Sequence, residues 1–160
     1  FNKYYTVFWN RYFKFQIPYL IRWKSVFGDL ESWMIWGNIG INQSINFEKI
    51  YQDLNKEINF SGDKNENSFL SNLKKNEPIQ GVNATSIADV SGIPRATVMR
   101  KLGKLSSKKI IKRNKKLEYV LTNQGKLNQK IETTFLIQQK NMALFVTDIF
   151  NLIKKSPLKI

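Results

Sequence analysis

The stretch NATSIADVSGIPRATVMRKLGKLSSKKIIKRNKKLEYVLTNQG, residues 83–125, decides the fold of this chain. Its first half predicts two short helices, over 85–90 and 94–105, because apolar residues recur in both at helical spacing. A turn is predicted between them. Gly92 tolerates a positive φ there, and Pro94 fits the first turn of the helix that follows.

A basic β-hairpin is predicted directly after the second helix. Residues 109–113 and 117–122 are β-rich runs, and the polar residues 114–116 join them. Val98 is expected to point into a small core between the helices and the hairpin. Helix, tight turn, helix and basic hairpin follow in the order of a winged helix-turn-helix. The sequence therefore predicts a mainly α-helical fold with a small β-hairpin wing over 108–122.

The sequence of this stretch also resembles a known family. IADVSGIPRATVMRKLGKL, residues 87–105, resembles the helix-turn-helix of bacterial MarR-type regulators and of IclR-type regulators, and EYVLTNQGK, residues 118–126, resembles the end of the MarR wing. The resemblance implies a transcriptional regulator that binds double-stranded DNA as a homodimer through its N- and C-terminal helices. It also implies an effector of unknown identity that shifts the spacing between the two DNA-binding modules.

The rest of the chain is divided around this core. Residues 1–27 are predicted to be an N-terminal helical dimerisation segment, 28–82 a helix leading into the core plus an inserted region, and 123–160 a C-terminal dimerisation helix, with 83–122 as the core itself. Pro18 is expected to kink or divide the first helix, because proline removes a backbone donor.

Residues 42–82 are the inserted region, where the sequence departs from the MarR pattern. The helix that begins at Leu30 is expected to end at Ile41, and a second helix is expected to run from about Ser44 to Ile58. The near-neutral charge of this region argues against contact with phosphates, and its role is not indicated by the sequence.

The aromatic residues of the first 27 positions are too numerous for one face of a small domain to cover. Three interpretations compete: this surface packs under the winged helix, packs against a second subunit, or lines a pocket for an aromatic effector. The resemblance favours the second interpretation, because the first helix of MarR-like proteins belongs to the dimerisation region.

Composition excludes several classes of function. The chain has no cysteine and no histidine, so it has no disulfide, no thiolate metal site and no histidine base. The sequence offers no phosphate-binding glycine loop, metal cluster or paired carboxylates, so we expect no enzyme activity and no cofactor. No run reaches the roughly 18 apolar residues of a membrane span, and no secretory signal is evident, so a cytoplasmic protein is expected.

The distribution of charge indicates a polyanionic partner. The net charge is +14, and residues 83–122 hold ten basic and two acidic residues, a surplus of +8. A uniform composition bias would not concentrate charge in this way, so we expect double-stranded DNA to be the partner.

Helical geometry predicts which side chains face that DNA. With Val98 in the core, Arg100 lies about 160° away on the opposite face, where it can bind guanine O6 and N7. The predicted DNA-binding residues of the recognition helix, 94–105, are Arg95, Ala96, Thr97, Met99, Arg100 and Lys104. Those of the wing, expected on the DNA backbone or in the minor groove, are Lys108, Lys112, Arg113, Lys115 and Lys116.

Two other functions stay open on the sequence alone. A replication initiator or architectural protein would use the same module without reading a promoter. A winged helix can also serve as a protein-interaction scaffold, although the surplus of basic residues counts against that role.

Overall fold

The computed structural model describes residues 2–53 and 80–155, so residues 54–79 of the predicted insertion lie outside it. The fold is mainly helical with a small two-stranded antiparallel sheet, as the sequence predicts. Its elements are helices α1 (Asn2–Phe27), α2 (Leu30–Asp53), α3 (Ala84–Ser91) and α4 (Arg95–Ser107), strands β1 (Ile111–Arg113) and β2 (Tyr119–Leu121), and helix α5 (Leu127–Lys155). None of the helices within the described residues is both long and apolar enough to cross a membrane.

The chain divides into two compact units. One consists of Phe1–Leu30 and Gln129–Ile160, and the other is the continuous segment Glu31–Asn128. The second unit therefore contains most of α2, both short helices and the hairpin.

Local hydrogen bonds set the bounds of the short helices. The Asn83 side chain caps α3 by accepting from the Ser86 N–H at 2.9 Å. Gly92 ends α3 in the left-handed region, with φ of 69°, and its N–H donates to the Ala88 carbonyl at 2.9 Å. The turn predicted at Gly92 is confirmed. Pro94 lies one residue before α4, and its carbonyl accepts from the Val98 N–H at 3.0 Å.

The predicted hairpin is confirmed, with shorter strands. β1 and β2 pair antiparallel, with Arg113 opposite Tyr119 at the end nearer the tip. Val82, just before α3, adds to the edge of this sheet: its N–H donates to the Tyr119 carbonyl at 3.1 Å, and the Tyr119 N–H donates back at 2.8 Å. Gly81 is buried beside the hairpin, and a side chain does not fit there because a Cβ would lie 2.6 Å from the Cβ of Glu118.

Helix α2 is continuous through the point where the sequence predicted its end at Ile41, and that prediction is wrong. Two polar residues beyond this point hold the helix against the hairpin side of the unit. The Gln43 side-chain oxygen accepts from the Leu121 N–H at 2.8 Å, and Asn42 Nδ2 lies 3.3 Å from the carbonyls of Gln80 and Gly81. These contacts stabilise the helical conformation of α2 at residues whose intrinsic propensity does not by itself favour a helix.

A compact apolar core lies within the unit Glu31–Asn128. Val98 is fully buried, as its helical position predicts. Other buried aliphatic side chains from α2, α3, α4 and the hairpin are Ile35, Ile39, Ile87, Leu102, Leu105, Ile110 and Ile111. Each of these elements therefore contributes buried aliphatic side chains to the core of this unit.

Helices α1 and α5 pack antiparallel in the other unit. The Phe15 and Phe145 rings stack at 4.8 Å between centroids, and Trp23 meets Phe135 edge-on at 5.1 Å. The predicted division of the first helix at Pro18 is wrong, because α1 is one helix from Asn2 to Phe27. Aromatic contacts on both sides of the proline hold the two halves on α5 and offset the lost backbone hydrogen bond.

We predict that Gln43→Met lowers the free energy of unfolding by about 1–2 kcal/mol, because the buried Leu121 N–H loses its acceptor while the volume is kept. Chemical denaturation measures this change. Gln129→Ala, at an exposed position of α5, is the control and should stay within about 0.5 kcal/mol of the wild type. Equal stability of all three proteins would show that the Gln43 contact contributes nothing.

Candidate nucleic-acid interface

Helix α4 has one buried and one exposed face, as the sequence predicts. Val98, Leu102 and Leu105 are buried, whereas Thr97 is half-buried. The other predicted contact residues of this helix are exposed, and they are Arg95, Ala96, Met99, Arg100 and Lys104. Their side chains are therefore available to a ligand that lies along the helix.

Lys101 differs from the other basic residues of α4. Its side chain is only 5% exposed, and Nζ lies 3.0 Å from Oε2 of Glu31, whose side chain is 52% exposed. The pair joins α4 to the first turn of α2. The sequence signal for this burial is the spacing, because Lys101 follows Val98 by three residues and shares its buried face.

The hairpin presents a second group of cations. All five predicted wing residues are exposed, namely Lys108, Lys112, Arg113, Lys115 and Lys116. The guanidinium of Arg113 lies 5.4 Å from the centre of the Tyr119 ring, and its Nε donates to the Leu117 carbonyl at 3.3 Å. Arg113 is therefore held against the hairpin, while the lysine side chains extend from it.

A polar cluster that sequence reasoning missed fixes the hairpin tip. Asn114 Oδ1 accepts from the N–H groups of Lys116 and Glu118, both at 2.9 Å, and Asn114 Nδ2 donates to Glu118 Oε2 at 2.9 Å. The same carboxylate oxygen accepts from the Gly81 N–H at 3.1 Å. An asparagine in a polar turn, four residues before a glutamate, was the available signal.

Hydrogen bonding favours the charged form of the Glu118 carboxylate. The bond from Asn114 is the largest cause that lowers the pKa of Glu118 below its ordinary value of about 4.5. Partial burial opposes this effect, whereas the Gly81 N–H and the charge of Lys116 lower the pKa further. The hydrogen bonds of the tip cluster therefore keep the charged form of Glu118 favoured to lower pH.

A groove of about 540 Å³ lies in the unit formed by α1 and α5. Its lining combines aromatic, aliphatic and charged side chains: Arg11, Lys14, Phe15, Pro18, Arg22, Asn141, Leu144, Phe145 and Asp148. Within it, Arg11 is paired with Asp148 at 2.7 Å, and Arg22 Nη2 donates to Gln138 at 3.1 Å. Phe15 is the aromatic residue of α1 that lines this groove.

Comparison of the chain with protein-family models, curated proteins and solved structures finds no match. A function is therefore inferred from the residues and their geometry alone.

We predict that Glu31→Gln destabilises the protein more than Lys101→Met does. The first change weakens the interaction of a buried ammonium group at a cost of about 1–3 kcal/mol. The second removes the buried charge itself, keeps an apolar stem and leaves Glu31 hydrated. Urea denaturation of the two variants compares these costs, and the reverse order would show that the ion pair does not hold α4 to α2.

Proposed function

We propose that this protein is a winged helix-turn-helix transcriptional regulator that binds double-stranded DNA as a homodimer. One observation carries the proposal: nine of the ten basic residues between Arg95 and Lys116 are exposed, and that segment contains no acidic residue. Such a surface attracts the phosphates of a duplex and releases their counterions. Action on DNA would place the protein in the cytoplasm of a bacterial cell.

Helix α4 is the element that enters the major groove in this proposal. Its exposed face combines Arg100, which suits bidentate binding of guanine, with Ala96 and the half-buried Thr97, which suit thymine methyl groups. Gly103 lies on the same face, and a Cβ there would meet nothing within 4 Å. Packing within the protein therefore does not require the glycine, whereas close approach to DNA would favour it.

The hairpin is the wing, and it contacts the DNA backbone or the minor groove. Lys112, Lys115 and Lys116 suit contacts to phosphates, which position a protein on the duplex without reading bases. The antiparallel pairing of Val82 with Tyr119 supports this assignment, because it ties the wing to the chain that leads into the helix-turn-helix.

Exposed apolar residues on α1 and α5 support the homodimer. Exposed side chains of α5 repeat every seven residues at two positions, which together form a heptad seam. The first position holds Leu136, Ala143 and Phe150, and the second holds Gln139, Val146 and Ile153. Seven-residue spacing of this kind suits helix-to-helix packing between chains. Helix α1 adds an exposed aromatic and aliphatic ridge, formed by Tyr5, Phe8, Trp9, Phe13, Ile17 and Ile21. A second copy would cover both surfaces.

We predict that selection of duplexes from random DNA yields an inverted repeat with half-sites about one helical turn apart. Arg100→Ala should cost about 1–3 kcal/mol at one base pair and relax the preference there, because it removes a base contact. Lys115→Ala should weaken binding evenly across sequences and flatten its dependence on salt, because it removes a phosphate contact. Binding titrations of the wild type and both variants at two salt concentrations measure these effects.

Other results of the selection would favour the other two functions. Binding that enriches no sequence and is lost with added salt would indicate an architectural protein or a replication initiator. Absence of binding at low salt would contradict the proposal and indicate a protein-interaction scaffold.

We predict that Phe150→Glu converts the homodimer to monomers, because a carboxylate cannot be buried unpaired between the two helices. Sedimentation velocity measures the change. Lys140→Gln alters the net charge by the same amount at an exposed position outside the heptad seam, and it should remain dimeric. A wild-type protein that is monomeric at micromolar concentration would contradict this part of the proposal.

A further inference from the structure

Leu117 is a residue type that the fold does not explain: it occupies the last position of a three-residue hairpin loop, where the backbone is left-handed and glycine or asparagine is usual. Its φ is 62°, in the left-handed region that glycine and asparagine adopt far more readily than leucine. Its side chain is 63% exposed at the tip of the hairpin. A large apolar side chain is therefore held in a strained conformation and packs little against its own chain. The hairpin turn requires this backbone, so the feature that calls for a functional explanation is the choice of a large apolar side chain at this position.

The hairpin tip fixes where Leu117 lies. The Leu117 N–H donates to the Asn114 carbonyl at 3.0 Å, and its own carbonyl accepts from Arg113 Nε at 3.3 Å. The cluster of Asn114, Glu118 and Gly81 holds the chain on both sides of it. The backbone of Leu117 is thus held in place by hydrogen bonds, and the exposed lysines 115 and 116 directly precede it.

We propose that Leu117 is an apolar wedge that enters the minor groove of the bound duplex, unstacks one base step and bends the DNA. This inference rests on the proposed DNA binding and names a further activity of the wing. Apolar side chains that enter the minor groove partly unstack bases and kink the duplex, and the bend brings more protein surface onto the DNA. The neighbouring lysines would hold the phosphates on either side of the opened step.

The proposal also names the class of DNA that suits the wedge. Pyrimidine–purine steps, TA above all, are the most easily unstacked and kinked. A duplex with a TA step beneath the wing should therefore be bent at a lower energetic cost than one with a stiff A-tract there. The wedge would select among sequences through deformability, without a hydrogen bond to a base.

A scattered apolar residue on a surface is common and by itself indicates nothing. The left-handed backbone allows an experiment to distinguish a Leu117 that has no role in binding from a Leu117 that acts as the wedge. If Leu117 has no role in binding, Leu117→Asn should stabilise the protein or leave it unchanged, and DNA binding should stay the same. If Leu117 is the wedge, the same variant keeps or gains stability while it loses bending.

The experiment uses the full chain and two end-labelled duplexes of about 30 base pairs, each carrying the inverted repeat obtained by selection. One duplex has a TA step where the wing lies, and the other has an A-tract there. Fluorescence energy transfer between the ends measures bending, and a titration measures affinity. The variants are Leu117→Asn, Leu117→Met, which keeps an apolar side chain, and Lys115→Ala, which removes only a charge.

The wild type and Leu117→Met should bend the TA duplex more than the A-tract duplex. Leu117→Asn should lose the bend and bind the TA duplex roughly five- to tenfold more weakly. Lys115→Ala should bind both duplexes more weakly but still bend them. Equal bending by wild type and Leu117→Asn would overturn the wedge and leave DNA binding standing, whereas failure of the wild type to bind any duplex would overturn both.

Discussion

The two backbone hydrogen bonds between Val82 and Tyr119 are the constraint on which the unit Glu31–Asn128 depends. A two-stranded hairpin alone is only marginally stable in water, so this one needs further support. Val82 supplies two hydrogen bonds at the edge of β2, and the Gln43 side chain supplies a third by accepting from the Leu121 N–H at the end of that strand. Together these contacts join α2, the chain before α3 and the hairpin into one body.

This arrangement explains which charges are free to bind a ligand. Lys101 holds α4 against α2 through its ion pair with Glu31, so its charge does not add to the exposed positive surface. The Glu118 carboxylate is used by Asn114 and Gly81, so it contributes hydrogen bonds to the hairpin tip. The remaining cations of α4 and the hairpin have no acidic neighbour along the chain between Arg95 and Lys116, which leaves a strongly positive surface.

The structure also separates stability from the proposed activity. Residues that hold the fold, such as Gln43 and Gly81, are buried and hydrogen-bonded: the Gln43 side chain accepts from the Leu121 N–H, and the Gly81 N–H donates to the Glu118 carboxylate. Leu117 and the heptad seam that includes Phe150 are exposed and contribute little to the stability of the single chain. Backbone strain and exposed apolar side chains lower the stability of the single chain. Where they occur without benefit to the fold, a bound partner is expected to offset that loss.

The sequence alone determined the features that arise from local chemistry. The turn at Gly92, the buried position of Val98 and the basic hairpin follow from residue preferences and from periodicity over a few residues. Tertiary structure decided the rest. Helix α2 continues to Asp53, with Gln43 bonded to Leu121, which lies 78 residues away. The buried ammonium of Lys101 is paired because Glu31 lies beside it, and α1 stays whole across its proline because aromatic contacts with α5 hold both halves. Each depends on a partner that is distant in sequence, and local patterns cannot identify such a partner.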